Sequence, residues 1–130
     1  TILRPNEVLT EVIIPRPGPG VRSTYLKFKE KGTMDWALSA VAAVVGVDGK
    51  TVSDASIVLG GVAPMPWVVE DAPGLLNGKQ VDPELLDTLA DAAVREAEPL
   101  AQNGYKVPLT RTLVKRAVQG LVDGRRSNRG

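Results

Sequence analysis

The chain has 130 residues, 43% of them apolar and 24% charged, with a formal net charge of +1. This fits one compact domain able to bury a core without covalent staples. It contains no cysteine and no histidine, which excludes disulfides, thiolate metal sites, iron–sulfur ligation and a Ser-His-Asp triad within the chain.

Near-neutral charge gives no general attraction to nucleic acid or to an anionic membrane, and no apolar run is long enough for a membrane span. The opening, Thr1-Ile2-Leu3-Arg4-Pro5, has no initiating Met and no signal-peptide pattern. It reads as a piece of something longer, and the expected compartment is the cytoplasm, with the periplasm as the alternative if the chain belongs to an exported complex.

Residues 8–14 are rich in β-branched side chains and stop at Pro15, which predicts a strand. The proline- and glycine-rich residues 15–20 follow as an irregular connector. Residues 23–31 alternate, with Leu26 and Phe28 on one face and Tyr25, Lys27, Lys29 and Lys31 on the other. Gly32 and Thr33 break that run. Residues 36–47 are almost continuously apolar, which fits a strand buried on both faces, with a buried helix as the competing reading. Asp48-Gly49 favours the strand, because that pair between apolar runs signals a two-residue hairpin. The return strand covers residues 51–59, with Ile57 and Leu59 facing the core. It ends at Gly60-Gly61, where backbone room or a positive φ is expected.

The second half reads as helices, after a short turn around residues 70–76. Asp82 caps a helix whose first residue is Pro83. Leu85, Leu89, Ala93 and Ala97 recur on its inner face, with Asp87, Asp91 and Arg95 outside, and Pro99 ends it. A last helix begins near Pro108 with the stripe Leu109, Leu113, Ala117 and Leu121, widened by Val114 and Val118. Gly124 suits its C′ position, and Lys115 and Arg116 suit its dipole. The result is an α+β domain over residues 1–124: an antiparallel sheet of three to four strands with two or three helices packed on it. Residues 125–130, with Arg125, Arg126 and Arg129, are expected to form a disordered basic tail.

The row Lys27, Lys29 and Lys31 is the most pointed local feature, since ammonium groups along one face repel unless something anionic meets them. A solvated edge strand and a contact to an anionic or polar cofactor both account for it, while nucleic acid is a weaker third reading. Asp35 reads as a strand-entry residue bonding the backbone at Gly32. Tyr105 reads as a packed anchor, with a ligand contact as the less favoured alternative. Gly60-Gly61 lacks the ending of a phosphate loop, and Asp82, Glu84, Asp87 and Asp91 are accounted for by helix-start preference and solvation. These residues alone describe a module without its own chemistry, a free-standing interaction domain being one such reading.

In order along the chain come Leu9-Thr10-Glu11-Val12-Ile13-Ile14-Pro15, Tyr25-Leu26-Lys27, Asp35-Trp36-Ala37-Leu38, Val47-Asp48-Gly49-Lys50 and Leu59-Gly60-Gly61-Val62-Ala63-Pro64. Tyr105-Lys106, Leu113 and Arg116-Ala117 follow. This order resembles the C-terminal domain of the FAD-binding subunit of molybdenum hydroxylases, the xanthine dehydrogenase and carbon monoxide dehydrogenase group. Asn103-Gly104-Tyr105-Lys106-Val107-Pro108-Leu109 further resembles the bacterial aldehyde-oxidising branch.

The resemblance implies an electron-transfer part of a larger oxidoreductase, inactive alone. A molybdenum-binding large subunit would choose and hydroxylate the substrate. An iron–sulfur small subunit would pass electrons to FAD, held mainly by a preceding domain of the same subunit that this chain lacks. The resemblance further implies flavin-side contacts from Tyr25, Lys27, Lys31 and Asp35. Lys27 falls at the family's lysine position, where an ammonium stabilises negative charge on a reduced flavin. The family often has arginine where this chain has Lys31 and Lys106, and lysine does not reproduce the guanidinium fork.

Overall fold

The structure, a computed structural model, describes residues 2–32 and 34–124. Four strands, β1 (Val21–Phe28), β2 (Ser39–Asp48), β3 (Thr51–Gly60) and β4 (Trp67–Val68), form one antiparallel sheet in the order β1-β2-β3-β4. The helices α1 (Ala72–Leu76), α2 (Pro83–Val94) and α3 (Lys106–Val122) follow. The basic tail 125–130 lies outside the described residues.

The β2–β3 hairpin is the spine of the sheet. Asp48 pairs with Thr51 across Gly49-Lys50. Gly49 has φ +61°, while no described residue other than glycine has positive φ, the pattern of a type II′ turn with glycine at its first central position. Alternate residues then face the helices: Val41, Ala43 and Val45 on β2, and Ala55, Ile57 and Leu59 on β3, all buried. Period-two alternation sends Ala42 and Val44 to the opposite face, where both are exposed. The expected burial of β2 on both faces is therefore corrected: the outer face is buried at Ala40 near the start of the strand, but Ala42 and Val44 are exposed.

The far edge of β3 is occupied at two places. Val58 and Leu59 pair with β4, and Thr51 bridges to Gln80, supported by Val52 N–H donating to Lys79 O at 2.9 Å. The fourth strand is thus β4, not residues 8–14. That segment forms no strand, with Val8, Leu9, Val12, Ile13 and Ile14 all exposed. β-branched composition favours extended backbone, but a ladder needs a second chain segment beside it.

The helices cover the inner face. α3 lies across β1 and β2, α1 on β3, and α2 packs against both other helices. The Asp82 carboxylate caps α2 by accepting from Leu85 N–H at 2.7 Å, as its position before Pro83 predicts. Leu86, Leu89, Ala90 and Ala93 are buried, and the helix stops at Val94, so Ala97 is exposed and outside it. In α3, Leu113, Val114, Ala117, Val118 and Leu121 form the buried stripe that the periodicity predicts. At its first turns, Thr110 Oγ1 and Ser39 Oγ share a buried 2.8 Å hydrogen bond that ties α3 to the start of β2. Tyr105 precedes the helix and is 52% exposed, so it is no packing anchor. Among the described residues no helix is long and apolar enough to cross a membrane.

Two surface contacts were not foreseen. Lys115 does not serve the α3 dipole; its Nζ donates to Asp87 Oδ1 at 2.6 Å, tying α3 to α2. That bond holds the Asp87 carboxyl below its ordinary value of 3.8. A depressed folded-state value means that this contribution is present at neutral pH and lost as pH falls through that value.

The α3 C-terminus is served from β1: Arg22 Nη1 donates to the carbonyls of Leu121 at 2.6 Å and Val122 at 3.0 Å, with Gly124 following as the C′ residue. A guanidinium there satisfies orphan carbonyls and opposes the negative end of the helix. Arg22→Ala is expected to cost about 1–2 kcal/mol, read as a lower urea midpoint with an unchanged m value. A midpoint equal to wild type would show the clamp to be idle.

Candidate functional site

The uncovered face of the sheet carries the candidate residues. On β1, Tyr25 pairs with Ala42 and Lys27 with Ala40. Alternation therefore places Tyr25 and Lys27 on the same outer face as Ala42, Val44, Val58 and Val68. Tyr25 is 61% exposed and Lys27 is also exposed. A tyrosine and a lysine thus stand two residues apart over apolar side chains, with no helix above them among the described residues.

Of the three lysines in the expected row, only Lys27 belongs to the strand, because β1 ends at Phe28. Lys29 turns back and donates to Gly32 O at 3.3 Å. Lys31 and Asp35 lie in the irregular segment between β1 and β2, whose ends are joined by Leu38 N–H donating to Phe28 O at 2.9 Å. Asp35 does not bond Gly32; its Oδ1 accepts from Trp36 N–H at 2.9 Å. Four ion pairs join described residues, and none includes Lys27, Lys31 or Asp35. The structure therefore brings Tyr25 and Lys27 together on one face, and places Lys31 and Asp35 on the loop that leaves the same end of β1.

Trp36 was missed as a candidate. Its place at the head of an apolar run predicts a buried strand, yet β2 begins at Ser39 and Trp36 is 91% exposed. Met34 on the same segment is exposed as well. The available signal was Gly32 and Thr33 just before them, since a turn ending so late leaves no room for strand pairing at Trp36.

The loop end is held in place by Gly61, whose φ is +72°. A Cβ there would lie 2.8 Å from the Ala37 carbonyl oxygen. Both the conformation and the close approach need glycine. Lys106 Nζ donates to Gly61 O at 3.0 Å and fixes the same corner from α3.

Among the described residues no group of three or more His, Cys, Asp or Glu side chains stands ready to hold a metal ion. The outer face of this helix-backed sheet carries an exposed tyrosine and an exposed lysine, and the irregular segment with Lys31 and Asp35 leaves one end of it. The chain belongs to the CO dehydrogenase flavoprotein C-terminal domain family, whose model matches residues 23–121.

It is 36% identical over 122 residues to the carbon monoxide dehydrogenase medium chain of Hydrogenophaga pseudoflava, covering 91% of this chain and 42% of that one. It is 34% identical over 112 residues to the aldehyde oxidoreductase FAD-binding subunit of Escherichia coli strain K12, covering 85% of this chain and 31% of that one. A solved structure of the Hydrogenophaga carbon monoxide dehydrogenase superposes with a TM-score of 0.77 at 34% identity, covering 88% of this chain and 40% of that one. The chain thus spans about two fifths or less of the length of these relatives.

Proposed function

We propose that the chain is the C-terminal domain, residues 1–124, of the FAD-binding subunit of a molybdenum-containing hydroxylase, and that its open sheet face borders the flavin. The observation that carries this reading is Lys27, exposed and in no ion pair among the described residues, beside Tyr25 on the outer sheet face, in a domain whose relatives include a FAD-binding subunit.

The donor set fits a flavin. Ala40 opposite Lys27 and Ala42 opposite Tyr25 keep the surface low and apolar there, as a planar ring requires, and the ammonium offers a positive charge with no carboxylate partner among the described residues. Bound FAD would take electrons arriving from iron–sulfur clusters of a small subunit and pass them to an acceptor, the clusters being fed by a molybdenum-binding large subunit. This chain's own part is to cover one side of the cofactor, exclude water there and place a fixed positive charge. Lys27 carries the charge, Tyr25 flanks it, and Lys31 and Asp35 border the site from the loop. Nothing in the cysteine-free composition asks for an oxidising compartment, and we assign the complex to the cytoplasm, which cell fractionation checks.

The test is the flavin potential in the complete subunit. Removing a nearby positive charge disfavours the reduced, more negative ring, so Lys27→Met is expected to lower the two-electron midpoint by roughly 30–60 mV. Reduction of the molybdenum centre by substrate should be spared. An unchanged midpoint with normal FAD content removes Lys27 from the site. A complete subunit that purifies without flavin overturns the reading itself.

A further inference from the structure

A cleft of about 410 Å³ opens on the helix side of the sheet, between the loop joining β3 to β4 and the segment joining α2 to α3. Leu59, Trp67 and Val107 contribute to its apolar lining. Two of its polar groups are already committed, Lys106 Nζ to Gly61 O and Thr110 Oγ1 to Ser39 Oγ. Three others offer acceptor oxygens. Glu96 and Glu98 form no ion pair among the described residues, and Asn103 Oδ1 is buried without a hydrogen-bond partner.

Two carboxylates and an amide oxygen beside an indole ring are complementary to a donor-rich cation with an apolar stem. A guanidinium answers all of them, since it has five N–H donors and a flat face that stacks on an aromatic ring, where an ammonium has three donors and no plane. The two loops also extend the apolar surface outward, with Met65 68% and Leu100 77% exposed. A free small cation would leave those side chains in water, whereas a protein surface carrying an arginine covers them.

We infer that this cleft is a docking site for an arginine side chain presented by another subunit of the assembled enzyme, with Glu96, Glu98 and Asn103 accepting its N–H groups and Trp67 stacking on it. The inference rests on the reading of the chain as part of a multisubunit hydroxylase. It places that contact on the helix side, separate from the open sheet face.

The experiment uses the full-length subunit co-expressed with its neighbouring subunits. The double substitution Glu96→Lys and Glu98→Lys, at two exposed positions, should weaken retention of the other subunits at least about tenfold, with FAD content and unfolding temperature unchanged. In parallel, a photo-crosslinking amino acid in place of Leu100 should join this subunit to an arginine-containing peptide of another subunit.

Wild-type-like retention in the double variant overturns the docking site and leaves the flavoprotein reading standing. A crosslink only to a second copy of this subunit, or to a peptide without arginine, also overturns it. Wild-type protein that carries no flavin and retains no other chain removes the flavoprotein reading and the docking site together.

Discussion

Replacing Ile57 with alanine is expected to destabilise the domain by about 2–5 kcal/mol. Ile57 is fully buried on the inner face of β3, and its cross-strand neighbour on β2 is Ala43, too small to fill the space left behind. Its carbonyl also accepts from Val69 N–H at 2.9 Å, so the backbone at this point is held from the β4 side and cannot easily close inward. Both facts favour the upper part of the range, because the cost rises with the cavity that survives relaxation. A domain of this kind has about 5–15 kcal/mol in total, so a large share of its stability would go. The fall in Tm should be roughly 10–20 °C, while Ile57→Val should cost about 0.5–1.5 kcal/mol. An alanine variant within about 1 kcal/mol of wild type would mean that the packing centre lies elsewhere.

The second large effect is expected at the corner beside the candidate site. Gly61→Ala adds a Cβ in the left-handed region, which costs about 1–2 kcal/mol by itself. It also brings that carbon to 2.8 Å from a backbone oxygen at Ala37, which cannot rotate away as a side chain would. A combined loss of about 2–4 kcal/mol is expected. Relief of the contact would move the segment carrying Asp35 and Trp36 and disturb the bond from Lys106. The neighbouring Gly60→Ala supplies the control, since its Cβ would meet Ala40 Cβ at an ordinary 3.5 Å. Urea titrations followed by tryptophan emission compare the two. Equal stability of both variants would sink the argument from the Ala37 approach.

The parts of the fold legible in the sequence are those whose signal is local. Asp48-Gly49 announces the hairpin, Asp82-Pro83 announces a helix start, and the four-residue recurrence defines the buried stripe of α3 from Leu113 to Leu121, with Leu109 at its start only half-buried. Each is decided by chemistry within a few residues. The illegible parts depend on what lies beside a segment in space. Residues 8–14 have strand composition and no ladder partner. β4 has only two residues, Trp67 and Val68, too few to show a period. The alanine-rich stretch of β2 hides which face is covered, because Ala42 is as apolar as the buried Ala43.

The site was legible to a similar degree. Lys27 and Tyr25 share a face because alternation places them there, and the pairing of β1 with β2 bears that out. The lysine row dissolves beyond Lys27, since the strand ends at Phe28 for want of partners before Ser39. Trp36 escaped because an apolar run reads as burial whether or not anything covers it.

The Arg22 clamp bears on the order in which the molecule takes shape. Its donor sits on the first strand and its acceptors lie 99 and 100 residues later, at the end of the last helix. A contact of such separation carries a large loop-closure cost and forms only after most of the chain has condensed. During synthesis the hairpin of β2 and β3 leaves the ribosome long before α3, and at about 5–20 residues per second the inner sheet face waits several seconds for its cover. Nascent chains paused after β3 would present Val41, Val45, Ile57 and Leu59 to any apolar surface nearby. Ribosome-bound intermediates of this length should therefore bind a holdase chaperone, and release it once Val122 has emerged.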